Sequence, residues 1–401
     1  MWQLYPNRTI PVVLDCGTDN PKLLNDPLYL GLRHPRIRGK QYDHFVDTVV
    51  QSVKKLFPRA VLHFEDFGLI NAHRLLLQYR PQLPCFNDDV QGTGVITLAA
   101  IQAGAKVAGL ELKDLRMVIF GAGSAGAGIA DHFRDAVGVS ASIPAEQAAK
   151  QIWLVDKPGL LLQSSELTEA QEPYARADSE SKDVDASSLE SIIAHVKPHV
   201  LIGCSTQPGA FTESIVREMA KHVDRPLIFP LSNPTRLHEA TPEDLFAWTD
   251  GKALVATGSP FPQVEHKGKK YDIAECNNAL AFPGIGLGAV LSRASKISDG
   301  MLVAAVEALA VLSPMLKDET KGLLPDVEDV RFVSKRVAVA VVAKAVEEGL
   351  SRVEGIPEEE AEREEWVSRQ MWDAEYRSLV RVGKEGAGRE ERGELGIGRS
   401  R

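Results

Sequence analysis

The stretch Met117–Val137, with the sequence MVIFGAGSAGAGIADHFRDAV, decides the fold class of this chain. Its first four residues are apolar and predict a buried strand, whereas Ala127–Val137 has apolar residues at helical spacing. The loop between them follows the GxGxxG pattern, whose glycines permit a tight turn, close approach of a pyrophosphate and close helix packing. This order of elements predicts a dinucleotide site, and a glycine-rich turn without a ligand is the alternative. The predicted cofactor contacts in the loop are Gly121, Ala122, Gly123, Ser124, Ala125 and Gly126.

The chain after this loop alternates between apolar runs and helix-like segments. The further predicted strands are Ile152–Val155, Val200–Cys204, Leu227–Leu231 and Leu254–Ala256. The helices predicted before the last three strands are Leu189–Val196, Phe211–His222 and Pro242–Trp248. Such alternation is typical of a parallel sheet covered by helices on both faces. We therefore predict an α/β fold with a doubly wound, Rossmann-type domain.

Asp156, at the end of the strand Ile152–Val155, is the candidate acid for the hydroxyls of a cofactor ribose. Its distance along the chain from Gly126 is longer than usual, because the polar insert Ser140–Lys150 intervenes. An acid at this position favours NAD over NADP, since it would repel a ribose 2′-phosphate. Lys157 beside it acts in the opposite sense, so NADP stays possible.

A second candidate site lies in the stretch Val61–Thr93. Glu65 and Asp66 follow a short apolar strand, and Asp88 and Asp89 begin the next apolar segment. Ligands of open α/β sheets bind beyond the carboxyl ends of strands, and hard divalent cations such as Mg²⁺ or Mn²⁺ prefer carboxylate oxygens. The alternative is that the first pair ends a strand in a solvated turn and the second pair caps a helix.

Further polar residues follow the later predicted strands. The loops at 205–207, 232–235 and 257–260 are expected to lie along the cofactor cleft. Asn233 precedes a proline, so a turn-forming role is the alternative to ligand contact. The pair Asn277 and Asn278 either fixes a polar substrate or closes a turn.

Composition limits the possible classes of protein. The 401 residues are 44% apolar and 25% charged, as in ordinary soluble proteins of two or three domains. The net charge of −9 argues against nucleic acid as the main partner. Four scattered cysteines fit reduced thiols in a cytosol-like compartment, cytoplasmic or mitochondrial, and no targeting peptide or membrane span is visible.

The two ends of the chain carry further expectations. Thr9–Asp15 is apolar and β-branched and predicts a buried strand, and Tyr42–Phe57 predicts an amphipathic helix. Helices are expected through Val346 and again at the charged run Glu358–Glu365. The apolar side of this last segment would pack on the body or on another subunit, and it consists of Trp366, Met371, Trp372, Tyr376 and Leu379. Gly383–Arg401 is expected to be disordered.

Several short motifs together resemble one known family. They are HFEDF from His63, FNDDVQGT from Phe86, FGAGSAGAGIA from Phe120, LSNPT from Leu231, TGSPF from Thr257 and NNALAFPG from Asn277. In this order they resemble the malic enzymes, which oxidatively decarboxylate malate to pyruvate with NAD or NADP. LDCGTDN from Leu14 and QMWDAEYRSL from Gln370 are also similar, so the likeness covers nearly the whole chain.

The resemblance implies roles for individual residues. Glu65, Asp66 and Asp89 would bind Mg²⁺ or Mn²⁺, and Asp88 would be a catalytic acid behind the metal. Both Asn233 and Asn278 would contact L-malate, and Asn233 would also contact the cofactor. The positions of Lys157 and Gln171 are similar to those of NAD-preferring members. A partial α/β substrate domain and a C-terminal helical segment that flank the Rossmann-type domain are implied as well. The implied division is residues 1–88 as a remnant of the substrate and metal domain, 89–276 for the dinucleotide, 277–349 as a mainly helical return to the substrate domain, and 350–401 as a C-terminal helix and disordered tail. A homo-oligomer, dimer or tetramer, is also implied.

The chain departs from the family pattern at its beginning. Malic enzymes carry a tyrosine general acid, a malate-binding arginine and a GIPxGK segment with the general base lysine, all before the LDCGTDN segment. Neither Tyr5 nor Lys22 lies in a matching motif. We therefore expect a malic enzyme whose proton transfers are impaired. The alternative is a catalytically inactive NAD-binding relative that acts through subunit interaction.

Overall fold

A computed structural model describes residues 4–182 and 184–376 of the chain. The strands are β1 (Leu62–Phe64), β2 (Cys85–Asn87), β3 (Met117–Phe120), β4 (Ile152–Asp156), β5 (Gly159–Leu160), β6 (Val200–Gly203), β7 (Leu227–Pro230), β8 (Leu254–Thr257), β9 (Val264–His266), β10 (Lys269–Tyr271) and β11 (Ala274–Glu275). The α-helices are α1 (Pro21–Leu24), α2 (Gly39–Leu56), α3 (Leu69–Tyr79), α4 (Thr93–Val107), α5 (Ser124–Ala141), α6 (Ala145–Ala149), α7 (Leu189–Val196), α8 (Glu213–His222), α9 (Pro242–Trp248), α10 (Phe282–Leu291), α11 (Asp299–Ala310), α12 (Val330–Glu347) and α13 (Glu360–Gln370).

Seven strands form the central sheet in the order β11-β8-β7-β6-β3-β4-β5. All neighbours in this sheet run parallel except the short edge strand β5, which is antiparallel to β4. Side chains alternate between the two faces, so Ile119 joins the core on one face and Val118 the core on the other. Helices α7, α8 and α9 cover the second face. This arrangement confirms the predicted α/β fold with a doubly wound sheet.

The strand order reverses between β3 and β6. From β3 the chain passes to β4 on one side and later returns to β6 on the other side, from which β7, β8 and β11 follow. The connections that follow β3 and β6 therefore leave this point in opposite directions and open a crevice beyond the carboxyl ends of the strands. The glycine-rich loop follows β3, so it lies at this crevice.

A separate parallel pair, β1 and β2, carries the acidic stretch. Phe64 pairs in register with Asn87, so the residues after the two strands start side by side. Helices α2 and α3 cover the pair with a small apolar core. The predicted strand and helix in this region are both present, with ends that differ by a residue or a few.

Helices α4, α10, α11 and α12 pack on the first face of the large sheet. Their apolar residues form one continuous core with those of β3, β6 and β7. This core spans position 276, where the sequence analysis placed a domain boundary, and the division into four parts stays a prediction.

The predicted strand at Thr9–Asp15 is wrong. Residues 9–20 form no regular element, and Val13 is 91% exposed. An apolar, β-branched run favours extended backbone, but a strand also needs a neighbour, and within residues 4–182 and 184–376 none pairs with this segment. Local propensity alone therefore misled the prediction.

The C-terminal helix is present as α13, which packs on α12 through Val367 and Met371. Tyr376, expected on its apolar side, is instead fully exposed. Leu379 and the predicted disordered tail lie outside the described residues. In the described part of the chain, no helix combines the length and apolar character that a membrane crossing requires.

Candidate metal and dinucleotide site

Four acidic residues meet where β1 and β2 end. Glu65 and Asp66 follow β1, and Asp88 and Asp89 follow β2 in a single π-type turn over Asp88–Gly92. One carboxylate oxygen from each of Glu65, Asp66 and Asp89 lies within 4.8 Å of the other two. Asp66 has a left-handed backbone with φ of 58°, a conformation that aspartate tolerates better than most residues. The three residues that the sequence suggested as metal ligands are thus close together.

Asp88 is the most buried of the four acids, with 5% of its surface exposed. Asn278 donates from Nδ2 to Asp88 Oδ2 at 3.1 Å and to the Asp88 carbonyl at 3.2 Å. Burial raises the pKa of the Asp88 carboxyl to about 7, and the Glu65 and Asp89 carboxylates add to the increase, while the Asn278 hydrogen bond opposes it. Asn278, expected to contact malate, therefore binds Asp88 in this structure.

The Glu65 and Asp89 carboxyls also resist ionisation. Desolvation raises the pKa of Glu65, and the Asp66 carboxylate raises it further. Desolvation and the carboxylates of Glu65 and Asp66 raise the pKa of Asp89, against the backbone amides of Asp66 and Phe67. Like charges this close favour protonation unless a cation is shared among them.

Two buried oxygens test whether the acids suit a divalent cation. Asp88 Oδ1 and Asp89 Oδ2 are both inaccessible to solvent and have no hydrogen-bond partner among the described residues. A buried polar atom without a partner is costly, and an ion would satisfy it. An all-oxygen set with mutual repulsion and unpartnered acceptors fits Mg²⁺ or Mn²⁺.

Three residues that the sequence analysis did not single out support this cluster. His63 Nε2 lies 3.2 Å from Glu65 Oε2, and His63, Glu65 and Asp88 form a second group with possible ligand atoms within 4.8 Å of one another. Asn87 Oδ1 accepts from the Val90 amide at 3.0 Å, and Gln91 Oε1 accepts from the Asn87 amide at 3.1 Å. The buried pair Asn87 and Gln91 fixes the turn Asp88–Gly92. The position of Asn87 directly before this turn was a usable signal in the sequence, because asparagine tends to form Asx-turns.

The glycine-rich loop Gly121–Gly126 has the close contacts that its pattern predicts. Gly121 has φ of 107°, and a Cβ there would lie 2.4 Å from the carbonyl carbon of Cys204. A Cβ at Gly126 would lie 2.1 Å from the Gly121 carbonyl oxygen. Gly123 is exposed with no atom within 4 Å of a Cβ position, directly before α5. Open space at a helix N-terminus suits a phosphate group.

The helix after this loop also packs on the acidic turn. A Cβ at Gly128 of α5 would lie 2.9 Å from the carbonyl oxygen of Val90, which follows Asp89. The backbone of α5, which follows the glycine-rich loop, therefore contacts the turn that carries Asp88 and Asp89. The two candidate sites share one rigid support.

Asp156 and Gln171 lie on the other side of the glycine-rich loop. Asp156 ends β4, as expected, and its Oδ1 accepts from the Lys157 amide at 2.8 Å. Gln171 is buried and donates from Nε2 to the Ala122 carbonyl at 2.8 Å. Gln171 therefore holds the second residue of the glycine-rich loop.

The polar loops after β6, β7 and β8 all lie along the same edge of the sheet. Asn233 is exposed, and its Oδ1 accepts from the Ser259 hydroxyl, which joins the loops after β7 and β8. Ser205 and Ser232 both donate to Glu239, a buried residue to which the sequence analysis gave no role. No local pattern marks Glu239, because its partner Ser205 is 34 positions away in the sequence.

Comparison with known proteins identifies the family. Residues 90–346 match the model described as malic enzyme, NAD binding domain, and residues 2–80 match malic enzyme, N-terminal domain. The chain is 50% identical to the mitochondrial NAD-dependent malic enzyme of Saccharomyces cerevisiae, over 94% of this chain and 58% of that protein. It is 47% identical to the NAD-dependent malic enzyme of Schizosaccharomyces pombe, over 94% of this chain and 67% of that protein.

Solved structures show the same relationship. The malic enzyme of Pyrococcus horikoshii matches 84% of this chain and 71% of its own length, with 26% identity and a TM-score of 0.65. The malic enzyme of Entamoeba histolytica has the same TM-score over 84% of this chain and 65% of its own length, and at 23% identity it supports the fold alone. The chain spans 58% of the length of the S. cerevisiae relative. From the family models and the sequence identities together, this chain belongs to the malic enzyme family.

Proposed function

We propose that the chain takes part in the oxidative decarboxylation of L-malate to pyruvate and CO₂, with NAD and with Mg²⁺ or Mn²⁺. The observation that carries this proposal is the convergence of Glu65, Asp66 and Asp89 at the ends of two parallel strands. When bound, the cation would polarise the hydroxyl and carboxylate of malate, and NAD would accept the hydride. The residues of the chain then have to bind malate and NAD, orient them and transfer protons.

The three acids would hold the metal and Asp88 would hold a proton. Asp88 is the most buried of the four acids, and burial raises the pKa of its carboxyl to about 7 in the metal-free chain. Asn278 orients this carboxyl from the other side through Oδ2. We assign Asp88 to proton handling behind the metal ligands, and Asn278 and Asn233 to the polar surroundings of malate.

The glycine-rich loop would hold the cofactor. Gly121–Gly126 would receive the pyrophosphate, Asp156 would bind the adenosine ribose, and Lys157 lies beside it. The acid at 156 and the names of the relatives both favour NAD over NADP. Gln171 supports the loop through the Ala122 carbonyl.

The proposed reaction also needs a general acid and a general base for malate. Neither Tyr5 nor Lys22 lies in the family's motif for these groups, and Lys22 is exposed in α1. We propose that this chain turns over malate about 10² to 10⁴-fold more slowly than a family member that has both groups, the usual contribution of positioned acids and bases.

The test measures NADH and NADPH formation by the purified chain with MnCl₂ and L-malate, with each dinucleotide in parallel. Direct titration of Mn²⁺ and of NAD is carried out on the same sample. Slow, metal-dependent formation of NADH with pyruvate as product supports the proposal, and full turnover contradicts the proposed impairment. Binding of NAD without any turnover favours the inactive relative, and failure to bind either Mn²⁺ or NAD refutes the site itself.

The assembly and location of the chain are part of the proposal. We propose a homo-oligomer, a dimer or tetramer, as the resemblance implies. The S. cerevisiae relative is named as mitochondrial, and we propose a mitochondrial or cytoplasmic location for this chain. Light scattering and organelle fractionation test these two statements.

A further inference from the structure

Glu239 is a buried carboxylate that the proposed chemistry does not use. It has 0% exposure and lies between the short 3₁₀ helix Thr235–Leu237 and α9. Its Oε1 accepts three hydrogen bonds, from the Ser205 amide at 2.9 Å, the Ser205 hydroxyl at 2.8 Å and the Ser232 hydroxyl at 2.5 Å. One oxygen thus joins the loop after β6 to the loop after β7.

The two serine hydroxyls extend these bonds to the next amides of the loop. Ser232 Oγ accepts from the Thr206 amide at 2.8 Å, and Ser205 Oγ accepts from the Gln207 amide at 3.1 Å. Three consecutive amides, those of residues 205, 206 and 207, are therefore bound directly or through one serine to Glu239. Thr206 has a left-handed φ of 57°, a strained conformation that such a network can maintain.

The Glu239 side chain fits closely against the end of β6. A Cβ at Gly203 would lie 2.4 Å from Glu239 Cδ and 2.5 Å from Oε2. Oε2 is buried and has no hydrogen-bond partner among the described residues. Only glycine at position 203 leaves room for the carboxylate, so its position is fixed by packing as well as by hydrogen bonds.

The backbone held by Glu239 is also the surface that the glycine-rich loop contacts. A Cβ at Gly121 would lie 2.4 Å from the carbonyl of Cys204 and 2.6 Å from the Ser205 amide nitrogen. This peptide lies at the reversal of strand order between β3 and β6, where the dinucleotide crevice opens. A shift of the Cys204–Ser205 peptide would therefore move the backbone surface, called here the wall, against which the turn at Gly121 packs.

We infer that Glu239 is a positioning residue for the dinucleotide site. It fixes the loop at 205–207 against the glycine-rich loop and connects this wall to the loop that carries Asn233. The inference rests on the proposed binding of NAD to this chain. It predicts that a change at Glu239 lowers the affinity for NAD and leaves the affinity of the acidic cluster at β1 and β2 for Mn²⁺ unchanged.

The test compares NAD binding by Glu239→Ala and Glu239→Gln with the unmodified chain, using isothermal titration calorimetry. Glutamine keeps an acceptor oxygen for the same donors, whereas alanine removes it. We expect a dissociation constant for NAD about tenfold higher in Glu239→Ala and largely restored in Glu239→Gln. The affinity for Mn²⁺ should stay unchanged in both, and Glu243→Ala, an exposed glutamate of α9, serves as the matched control.

The possible outcomes separate the inference from the proposed function. If the unmodified chain does not bind NAD, the proposed function fails. If it binds NAD and folded Glu239→Ala binds equally well, the inference is overturned, even where the melting temperature has dropped. If Glu239→Ala does not fold, Ser232→Ala decides, because it removes the bond to the Thr206 amide and keeps Glu239; unchanged NAD affinity in that variant overturns the inference.

Discussion

The acidic group at β1 and β2 and the single buried carboxylate of Glu239 near β6 and β7 have different surroundings. At β1 and β2, Glu65 and Asp89 have raised pKa values because they are desolvated near other acids. At β6 and β7, the single carboxylate of Glu239 accepts three hydrogen bonds through one oxygen. The first group has more negative charge than its protein partners compensate, whereas the second is bound by donors from two loops.

This difference separates ligand sites from structural supports. Acids that repel one another lower the stability of the folded chain, and the proposed cation would offset that repulsion. A carboxylate with several donors stabilises the surrounding loops without any ligand. Substitutions in the first group should therefore change ligand binding, and substitutions in the second should change loop geometry.

The largest effect is expected at the acidic group. Asp89→Asn should weaken Mn²⁺ binding about 100-fold or more, because it removes one charged ligand from a set of three. The metal-free variant should be at least as stable as the unmodified chain, since repulsion with Glu65 is removed. Calorimetric titration with MnCl₂ and thermal unfolding measure both. Asp114→Asn, at an exposed carboxylate, is the control, and equal Mn²⁺ affinity in both variants would contradict the distinction.

Low pH should weaken the packing of α5 against α4. His132 of α5 lies against Gly94 of α4, where a Cβ would come within 1.9 Å of its ring. Burial lowers the pKa of His132 from 6.5 to about 4. The unfolded chain binds this proton more readily than the folded chain. The free energy of unfolding therefore has its full value above pH 6.5 and decreases, by up to roughly 3 kcal/mol, as the pH falls toward 4.

Urea unfolding at several values of pH between 7.5 and 4.5 measures this loss. His132→Leu should show a smaller decrease in unfolding free energy over that range than the unmodified chain. His44→Gln, at an exposed histidine of α2, should retain the full decrease. An unchanged pH dependence in His132→Leu would show that other groups cause the acid sensitivity.

Two alanine substitutions in the glycine-rich loop should separate support from binding. Gly126→Ala should lower the unfolding free energy by about 1–3 kcal/mol, because its Cβ would lie 2.1 Å from the backbone oxygen of Gly121. Gly123→Ala meets no atom within 4 Å and should leave stability nearly unchanged while weakening NAD binding. Thermal unfolding and NAD titration test the pair. Equal NAD affinity in Gly123→Ala and the unmodified chain would exclude this position from the phosphate site.

The smallest effect is expected at the ribose end. Asp156→Ala should raise the dissociation constant for NAD about tenfold, the typical effect of a lost hydrogen bond to a charged group, and should improve the relative affinity for NADP. Lys157→Ala should lower the relative affinity for NADP. Titrations with both dinucleotides measure the ratio of the two dissociation constants. A ratio that Asp156→Ala does not change would assign cofactor choice to other residues.

Much of the fold follows from local sequence patterns. The strand, glycine loop and helix at Met117–Val137 have the predicted order, because period and turn chemistry are local properties. The residues alone suggested that the acids of Val61–Thr93 share a cation, and the family resemblance implied the set Glu65, Asp66 and Asp89. The strand at Cys85–Asn87 and its parallel pairing with β1, which bring these acids together, were not predicted.

The remaining features depend on contacts between distant residues. Glu239 and Ser205 are 34 positions apart, and the sequence around Glu239 has only the features of a turn before a helix. Asn278 binds Asp88 across 190 positions, which local reasoning cannot anticipate. Thr9–Asp15 has the composition of a strand, but the absence of a pairing strand among the described residues leaves it without regular structure. Such features need the folded arrangement.

The pairing of Phe64 with Asn87 has a consequence for how this protein tolerates changes in length. The acids immediately follow the paired residues, so the ladder, rather than the length of the connection, sets their spacing. Extra residues in the exposed turn around Pro81 and Gln82 would cost little in loop entropy and leave the cluster intact. A single residue inserted within either three-residue strand would instead reverse the side chains beyond it and separate the acids.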